Sequence, residues 1–138
     1  MLSKNHKYFS DLILKNNIEA TSSIKKCIKE VDYILIAVPM VAIKKLLEQT
    51  IFPNLNKKVY WINASKGFDP EYPIEVDYLD KIIPKEKTKG NFKIIGGTFA
   101  EELANLQPSS ITLTSNKQKR NDEILSILNT STLRMEWS

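Results

Sequence analysis

Three short segments of this chain carry residue types that could act on a small, charged ligand. The first is Asn63-Ala64-Ser65-Lys66-Gly67-Phe68-Asp69-Pro70-Glu71, in which a lysine follows an apolar run and a glycine follows the lysine. An ammonium placed there could bind a phosphate or polarise a carbonyl. Gly67 permits the tight bend or close backbone approach that this chemistry needs. An exposed loop lysine satisfies the same spacing, so both readings stand. The second segment is Ile95-Gly96-Gly97-Thr98-Phe99-Ala100-Glu101-Glu102. Two glycines end an apolar run, and Thr98 with Glu101 has the Thr-x-x-Glu spacing of a capping box, which predicts a helix start. Free N–H groups at a helix start can hold an anion or a carboxamide, although a well-capped helix without a ligand is the plainer account. The third is Ala37-Val38-Pro39-Met40. Pro39 cannot donate to a sheet ladder and its fixed φ suits the beginning of a helix, so strand punctuation alone explains it.

Other chemistries lack their residues. Four glycines leave no G-x-G-x-x-G anywhere, so the usual pyrophosphate cradle is absent from this sequence, as is a G-x-x-x-x-G-K-[ST] loop. His6 is the single histidine, and any Ser/His or Cys/His nucleophile pair would have to use it. The single cysteine, Cys27, excludes an intrachain disulfide and a structural zinc cluster, so no metal is expected and a reducing, cytoplasmic compartment is. The longest apolar stretch, Tyr33 to Ile43, is interrupted by Pro39 and is too short to span about 30 Å of hydrocarbon. The first eight residues hold no apolar signal core, so secretion is not expected. A net charge of +4, spread along the chain among acids, argues against a nucleic-acid footprint.

The elements that must position these segments follow from hydrophobic patterning. A length of 138 residues fits one domain with a real core. Tyr33–Val38 is a continuous apolar run of the kind that a strand buried on both faces requires. Lys58–Asn63, Phe92–Ile95 and Ser110–Thr114 are further strands, with a weaker one at Ile18–Thr21 and a strand-like end at Arg134–Ser138. Helical stripes lie between them. Ile24, Cys27 and Ile28 follow the capping candidates Ser22 and Ser23; Val41, Ile43, Leu46, Leu47 and Ile51 run up to Pro53. Ile74, Val76, Leu79, Ile82 and Ile83 form a looser helix closed by Pro84, and Ile124, Leu125, Ile127 and Leu128 form the last. Pro84–Asn91, with three lysines, reads as a solvated loop. The alternation predicts an α/β fold with a largely parallel, doubly wound sheet. In such sheets ligands bind beyond the carboxyl ends of the strands, where all three segments fall.

In this order and spacing the three strand ends resemble the bacterial-type NAD(P)-dependent glycerol-3-phosphate dehydrogenases. His6-Lys7-Tyr8-Phe9 with Asn17-Ile18-Glu19-Ala20-Thr21 looks like the family's segment before its third strand, and Asp32–Pro39 looks like its fourth strand. Ser65–Glu71 resembles its lysine-glycine loop and Gly96–Glu102 its glycine-rich helix start; these two are the specific ones. Gly97 stands where the family usually has proline. The resemblance implies a Rossmann domain that lacks its first glycine-rich β-α unit over residues 1–138, with the family's helical substrate domain absent. It also implies NAD or NADP as cofactor, and interconversion of dihydroxyacetone phosphate and sn-glycerol 3-phosphate for phospholipid precursors.

By that resemblance Lys66 would contact cofactor and substrate, Gly96 and Thr98 would line the substrate, and Ala100 would offer its backbone to the nicotinamide, with Pro39 also toward the cofactor. The family's proton-donor lysine belongs to the second domain, so no catalytic residue is expected in this chain, and no turnover by the chain alone. Without the first strand an apolar sheet edge is left open, and self-association through it is expected. A different Rossmann-type dehydrogenase, or a non-catalytic remnant or binding module, are the alternative readings. The residue that reads the ribose 2′ position lies upstream of this sequence in the family, so the choice between NAD and NADP is not legible.

Overall fold

A computed structural model describes residues 4–5, 9–13, 15–67, 78–115 and 121–138. The elements in chain order are β1 (Lys4–Asn5), β2 (Phe9–Ile13), α1 (Ile24–Cys27), β3 (Tyr33–Ile36), α2 (Met40–Leu46), β4 (Val59–Asn63), α3 (Tyr78–Ile82), β5 (Thr88–Ile95), α4 (Ala100–Ala104), β6 (Ser109–Thr114), α5 (Asp122–Leu128) and β7 (Leu133–Trp137). β1 and β2 form a separate antiparallel pair, and the main sheet has the order β3-β4-β5-β6-β7. β3, β4 and β5 are parallel, β5 and β6 antiparallel, and β6 and β7 parallel. The expected α/β sheet, mostly parallel with flanking helices, is therefore present. One consequence of the antiparallel step is that the carboxyl ends of β3–β5 and the amino ends of β6 and β7 lie at the same end of the sheet.

β4 shows why a central strand reads as an unbroken apolar run. Val59 and Trp61 face a cluster built with Ile43, Leu47, Leu55 and Leu79, while Ile62 faces a second cluster with Phe92, Leu113, Ile124 and Met135. Helices therefore cover both faces, as in a doubly wound sheet. Trp61 is fully buried, and its indole N–H donates to the Lys87 carbonyl at 3.0 Å, so burying the ring leaves no orphan donor. On the second face the rings of Tyr33, Tyr60, Phe92 and Trp137 follow one another at centroid distances of 5.3, 6.1 and 5.8 Å.

Helix starts follow the capping residues. Ser23 Oγ accepts the Lys26 N–H at 3.3 Å, and Asn121 Oδ1 accepts that of Glu123 at 3.1 Å. α2 continues through a wider turn at Leu47–Ile51 and a 3₁₀ turn at Phe52–Asn54, where Pro53 stops it. The predicted third helix survives as Tyr78–Ile82, with Leu79 and Ile83 buried; Ile74 and Val76 lie outside the described residues.

Three expectations are corrected. Ile18–Thr21 is not a strand; the segment is held locally, with Glu19 paired to Lys26 of α1. β3 is not buried on both faces. It forms the edge of the sheet among the described residues, ends at Ile36 and leaves Leu35 half exposed. The region read as a loop up to Asn91 holds a 3₁₀ turn at Lys85–Lys87 and the first half of β5. Hydropathy does not register that half because its polar side chains satisfy one another. The buried Asn91 amide donates to Asp80 Oδ1 at 2.6 Å, and its carbonyl accepts from Thr88 Oγ1 at 2.7 Å.

The two edges of the sheet differ. On the outer side of β7, Asn129 Oδ1 accepts the Met135 N–H at 2.5 Å and Asn129 Nδ2 donates to the Met135 carbonyl at 3.3 Å. Thr130 likewise donates its N–H to the Leu133 carbonyl and accepts the Leu133 N–H on Oγ1, both at 2.9 Å. Side chains thus stand where a further strand would pair. On β3 the Asp32 and Ile36 carbonyls turn inward to Tyr60 and Ala64. By the alternation of a parallel ladder the Leu35 backbone faces outward, and among the described residues nothing pairs with it.

Candidate functional site

The site is assembled at the carboxyl ends of β3, β4 and β5. After Asn63 the chain leaves β4 over the end of β3, where the Ala64 N–H donates to the Ile36 carbonyl at 2.8 Å and Ser65 Oγ donates to the same oxygen at 3.4 Å. Gly67 then turns the backbone with φ +104°, a conformation that L side chains rarely adopt. This leaves Lys66 exposed at the tip. Its ammonium reaches across to the third segment, donates to the Thr98 carbonyl at 2.6 Å and lies 5.0 Å from the centre of the Phe99 ring. Among the described residues no carboxylate pairs with it. A carbonyl and a ring face are neutral partners, so among the described residues the positive charge is left uncompensated.

The third segment is built differently from its spacing. The helix begins one residue later than the Thr98–Glu101 box implied. Phe99 is the N-cap of α4, and the Glu102 carboxylate accepts the Phe99 N–H at 2.8 Å. Phe99 has no side-chain acceptor, so only the carboxylate half of a capping box forms. The reason is visible in Thr98, whose carbonyl is taken by Lys66 and which therefore belongs to the site loop. Ala100 is exposed as the first helical residue, with an N–H that has no intrahelical acceptor. Gly96 ends the strand segment against β6, and a Cβ added there would meet Ile111 Cγ2 at 2.8 Å. Its missing side chain is therefore explained by strand packing. At Gly97 a Cβ would meet nothing within 4 Å.

Pro39 is the exposed N-cap of α2, with φ −52° and ψ 135°, and its carbonyl accepts the Ala42 N–H at 2.9 Å. It adjoins the loop through the next residue, since the buried Met40 Sδ lies 3.7 Å from Asn63 Nδ2. The structure thus gathers Pro39, Lys66, Thr98 and Ala100 at one end of the sheet, with Gly96 just past the end of β5. Phe68–Glu71, the rest of the lysine-glycine segment, and His6–Tyr8 lie outside the described residues. Phe99 as a seat for the ammonium and Asn63 under the loop were not singled out by sequence. The available signal for Asn63 was an amide at the end of an otherwise apolar strand. Among the described residues no three His, Cys, Asp or Glu side chains stand close enough to hold a metal, and no helix is long and apolar enough to cross a membrane.

A groove of about 790 Å³ lies away from Lys66, beside β7, lined among others by Ser109, Asn129, Thr132, Arg134 and Trp137. There Asn129 holds the Met135 backbone and Arg134 pairs with Glu136 at 2.7 Å, while the buried Trp137 indole N–H has no hydrogen-bond partner among the described residues.

Comparison with known proteins agrees with this fold. The family described as NAD-dependent glycerol-3-phosphate dehydrogenase N-terminus matches residues 2–121. Glycerol-3-phosphate dehydrogenase [NAD(P)+] of Bacillus subtilis is 27% identical over 124 residues, covering 89% of this chain and 36% of the relative. The enzyme of the same description from Mycoplasma mobile is 31% identical over 125 residues, covering 89% and 37%. The chain thus spans little more than a third of the length of these relatives. Glycerol-3-phosphate dehydrogenase of Coxiella burnetii superposes with a TM-score of 0.82 at 20% identity, covering 98% of this chain and 40% of that one. A pyrroline-5-carboxylate reductase from the same organism reaches 0.59 at 16% identity. At such identities these two structures establish a shared fold alone.

Proposed function

The chain belongs to the N-terminal family of NAD-dependent glycerol-3-phosphate dehydrogenases, and from that premise we propose that it is the part of such an enzyme that presents the nicotinamide and the phosphorylated ketone to one another. The reaction is reduction of dihydroxyacetone phosphate by NAD(P)H and a proton to sn-glycerol 3-phosphate and NAD(P)+, or its reverse. The observation that carries this reading is the exposed Lys66 ammonium, held on the Thr98 carbonyl and the Phe99 ring at the end of a doubly wound sheet.

Lys66 attracts the anionic ligands and, released from Thr98, donates to one of their oxygens. Gly96 and Thr98 form the wall against the ketone, Ala100 offers its free N–H to the carboxamide, and Pro39 borders the cofactor. Bound NAD(P)H supplies the hydride. These residues fit the nicotinamide end of the cofactor, and the sequence has no glycine-rich turn for its pyrophosphate. We assign residues 1–138 to part of the Rossmann domain, and the proton-donating lysine to the family's helical domain, outside this chain. For residues 1–138 taken by themselves, binding without turnover is expected. The same reading places the protein in the cytoplasm, where a reducing medium keeps the exposed Cys27 a thiol.

Calorimetric titration with dihydroxyacetone phosphate and with NADH tests this. Weak binding that Lys66→Ala reduces at least about tenfold is expected, since charge-assisted hydrogen bonds contribute about 1.5–3 kcal/mol. Undiminished binding in that variant overturns the role of Lys66, and ketone-dependent NADH oxidation by the pure chain overturns the expected lack of turnover.

We also propose that copies of the chain associate through the outer edge of β3. The half-exposed Leu35 and its outward-facing backbone support this. A light-scattering mass that stays monomeric up to high concentration would exclude it.

A further inference from the structure

The side chain beneath the Lys66 loop is chemically out of place. Asn63 is the last residue of β4 and is 1% exposed, in a strand whose Val59, Trp61 and Ile62 are all buried apolar residues. Burying an amide is unfavourable unless its atoms are bonded. An apolar residue would fill the position without that requirement. What the amide does with its atoms is informative. Its Oδ1, the strong acceptor, takes the Ser65 N–H at 2.9 Å, closing a turn over residues 63–65. Among the described residues its Nδ2 meets only the Met40 sulfur at 3.7 Å, a weak acceptor. The acceptor is therefore well used and the donor poorly used, a pattern expected of a group retained for the turn it closes.

That turn has one output. Ala64 and Ser65 are pinned to the Ile36 carbonyl, the next residue is Lys66, and Gly67 then reverses the chain. We propose that Asn63 is the positioning residue for Lys66. By fixing the backbone one residue before the lysine, it directs the ammonium across the sheet end to Thr98 and Phe99. The inference deepens the proposed function and rests on its reading of Lys66 as the ligand-facing cation. Asn63 itself touches no ligand in this arrangement.

The test is competitive acetylation of the folded chain with trace acetic anhydride, read by peptide mass spectrometry. Lys58, exposed at the other end of β4, is the internal reference. In the wild type Lys66 should react about fivefold more slowly than Lys58, the factor a single net hydrogen bond supplies. Asn63→Ala should abolish that difference. Asn63→Ser, whose hydroxyl can accept the same N–H, should restore part of it. Asn91→Ala removes another buried amide, bonded to Asp80 and away from the site; it should lower stability comparably and leave Lys66 slow. An unchanged Lys66 rate in Asn63→Ala overturns the proposal, as does equal acceleration in Asn91→Ala. If Asn63→Ala does not fold, Asn63→Ser is compared with Asn63→Cys, near-isosteric with a strong and a weak acceptor. Lys66 must be slower in the serine protein, and equal rates overturn the proposal. Undiminished ligand binding in Lys66→Ala would instead dismiss the ligand role of Lys66 and leave the acetylation result standing.

Discussion

Gly96 and Gly97 are neighbours with opposite expected responses to one added methyl group. At Gly96 that methyl would stand 2.8 Å from Ile111 Cγ2, 3.3 Å from its Cβ and 3.5 Å from its Cα. Ile111 cannot yield cheaply. It is buried, β-branched and therefore stiff at χ1, and its backbone is held in β6 opposite Met135 of β7. Overpacking of this kind costs about 1–3 kcal/mol. For a domain of this size each kcal/mol lowers the melting midpoint by roughly 3–5 °C, so Gly96→Ala should melt several degrees lower. At Gly97 nothing lies within 4 Å and φ is outside the left-handed region, so alanine there should be neutral or stabilising by up to about 1 kcal/mol. Urea denaturation with an unchanged m-value measures both. Ile111→Ala removes the clashing carbon, so Gly96→Ala/Ile111→Ala should be less destabilised than the sum of its single changes by at least about 1 kcal/mol. A Gly96→Ala protein within about 0.5 kcal/mol of wild type, or additive single changes, would refute the reasoning.

Gly67→Ala forces a Cβ into a backbone with φ +104° and should cost about 1–3 kcal/mol while disturbing the Lys66 loop, measurable as a lower urea midpoint with weaker ligand binding. The Tyr33 hydroxyl is pushed up to about 12 by burial first and then by its hydrogen bond to, and the negative charge of, Glu123. Because this folded value lies above the unfolded one near 10, the stability it contributes is complete below about pH 10 and is lost as pH rises through 12. Tyr33→Phe should flatten that fall and remove a phenolate transition near pH 12; identical alkaline slopes would count against it. Asn129→Ala strips both partners from the Met135 backbone and should cost about 1–3 kcal/mol by thermal or urea unfolding.

The parts of the fold legible in the sequence were those with a strong local signal. β4 is apolar on both faces because both faces are covered, and Ser23 announces α1 because its hydroxyl caps it. The first half of β5 is hidden because Asn91 is buried through polar partners, Thr88 and Asp80, that hydropathy cannot see. The capping box was misplaced by one residue because Thr98 answers to Lys66, 32 residues away in the chain. Ala100, Pro39, Lys66 and Thr98 were legible as strand ends and helix starts. The contact between Lys66 and Thr98 was not, since it depends on how β4 and β5 register.

The side chains that cap β7 also set how many copies a pairing sheet can recruit. In the language of polymerisation, a chain whose sheet has one open edge is a monofunctional monomer. In the proposed pairing, two such chains joined through β3 present a capped β7 at both ends of the combined main sheet, and growth through that sheet stops at a pair, closed about a two-fold axis. A fibril requires two open ends on every unit. Asn129 and Thr130 are in that sense chain terminators, and if the proposed pairing forms, an Asn129→Ala population should pass, by light scattering, from pairs to longer assemblies.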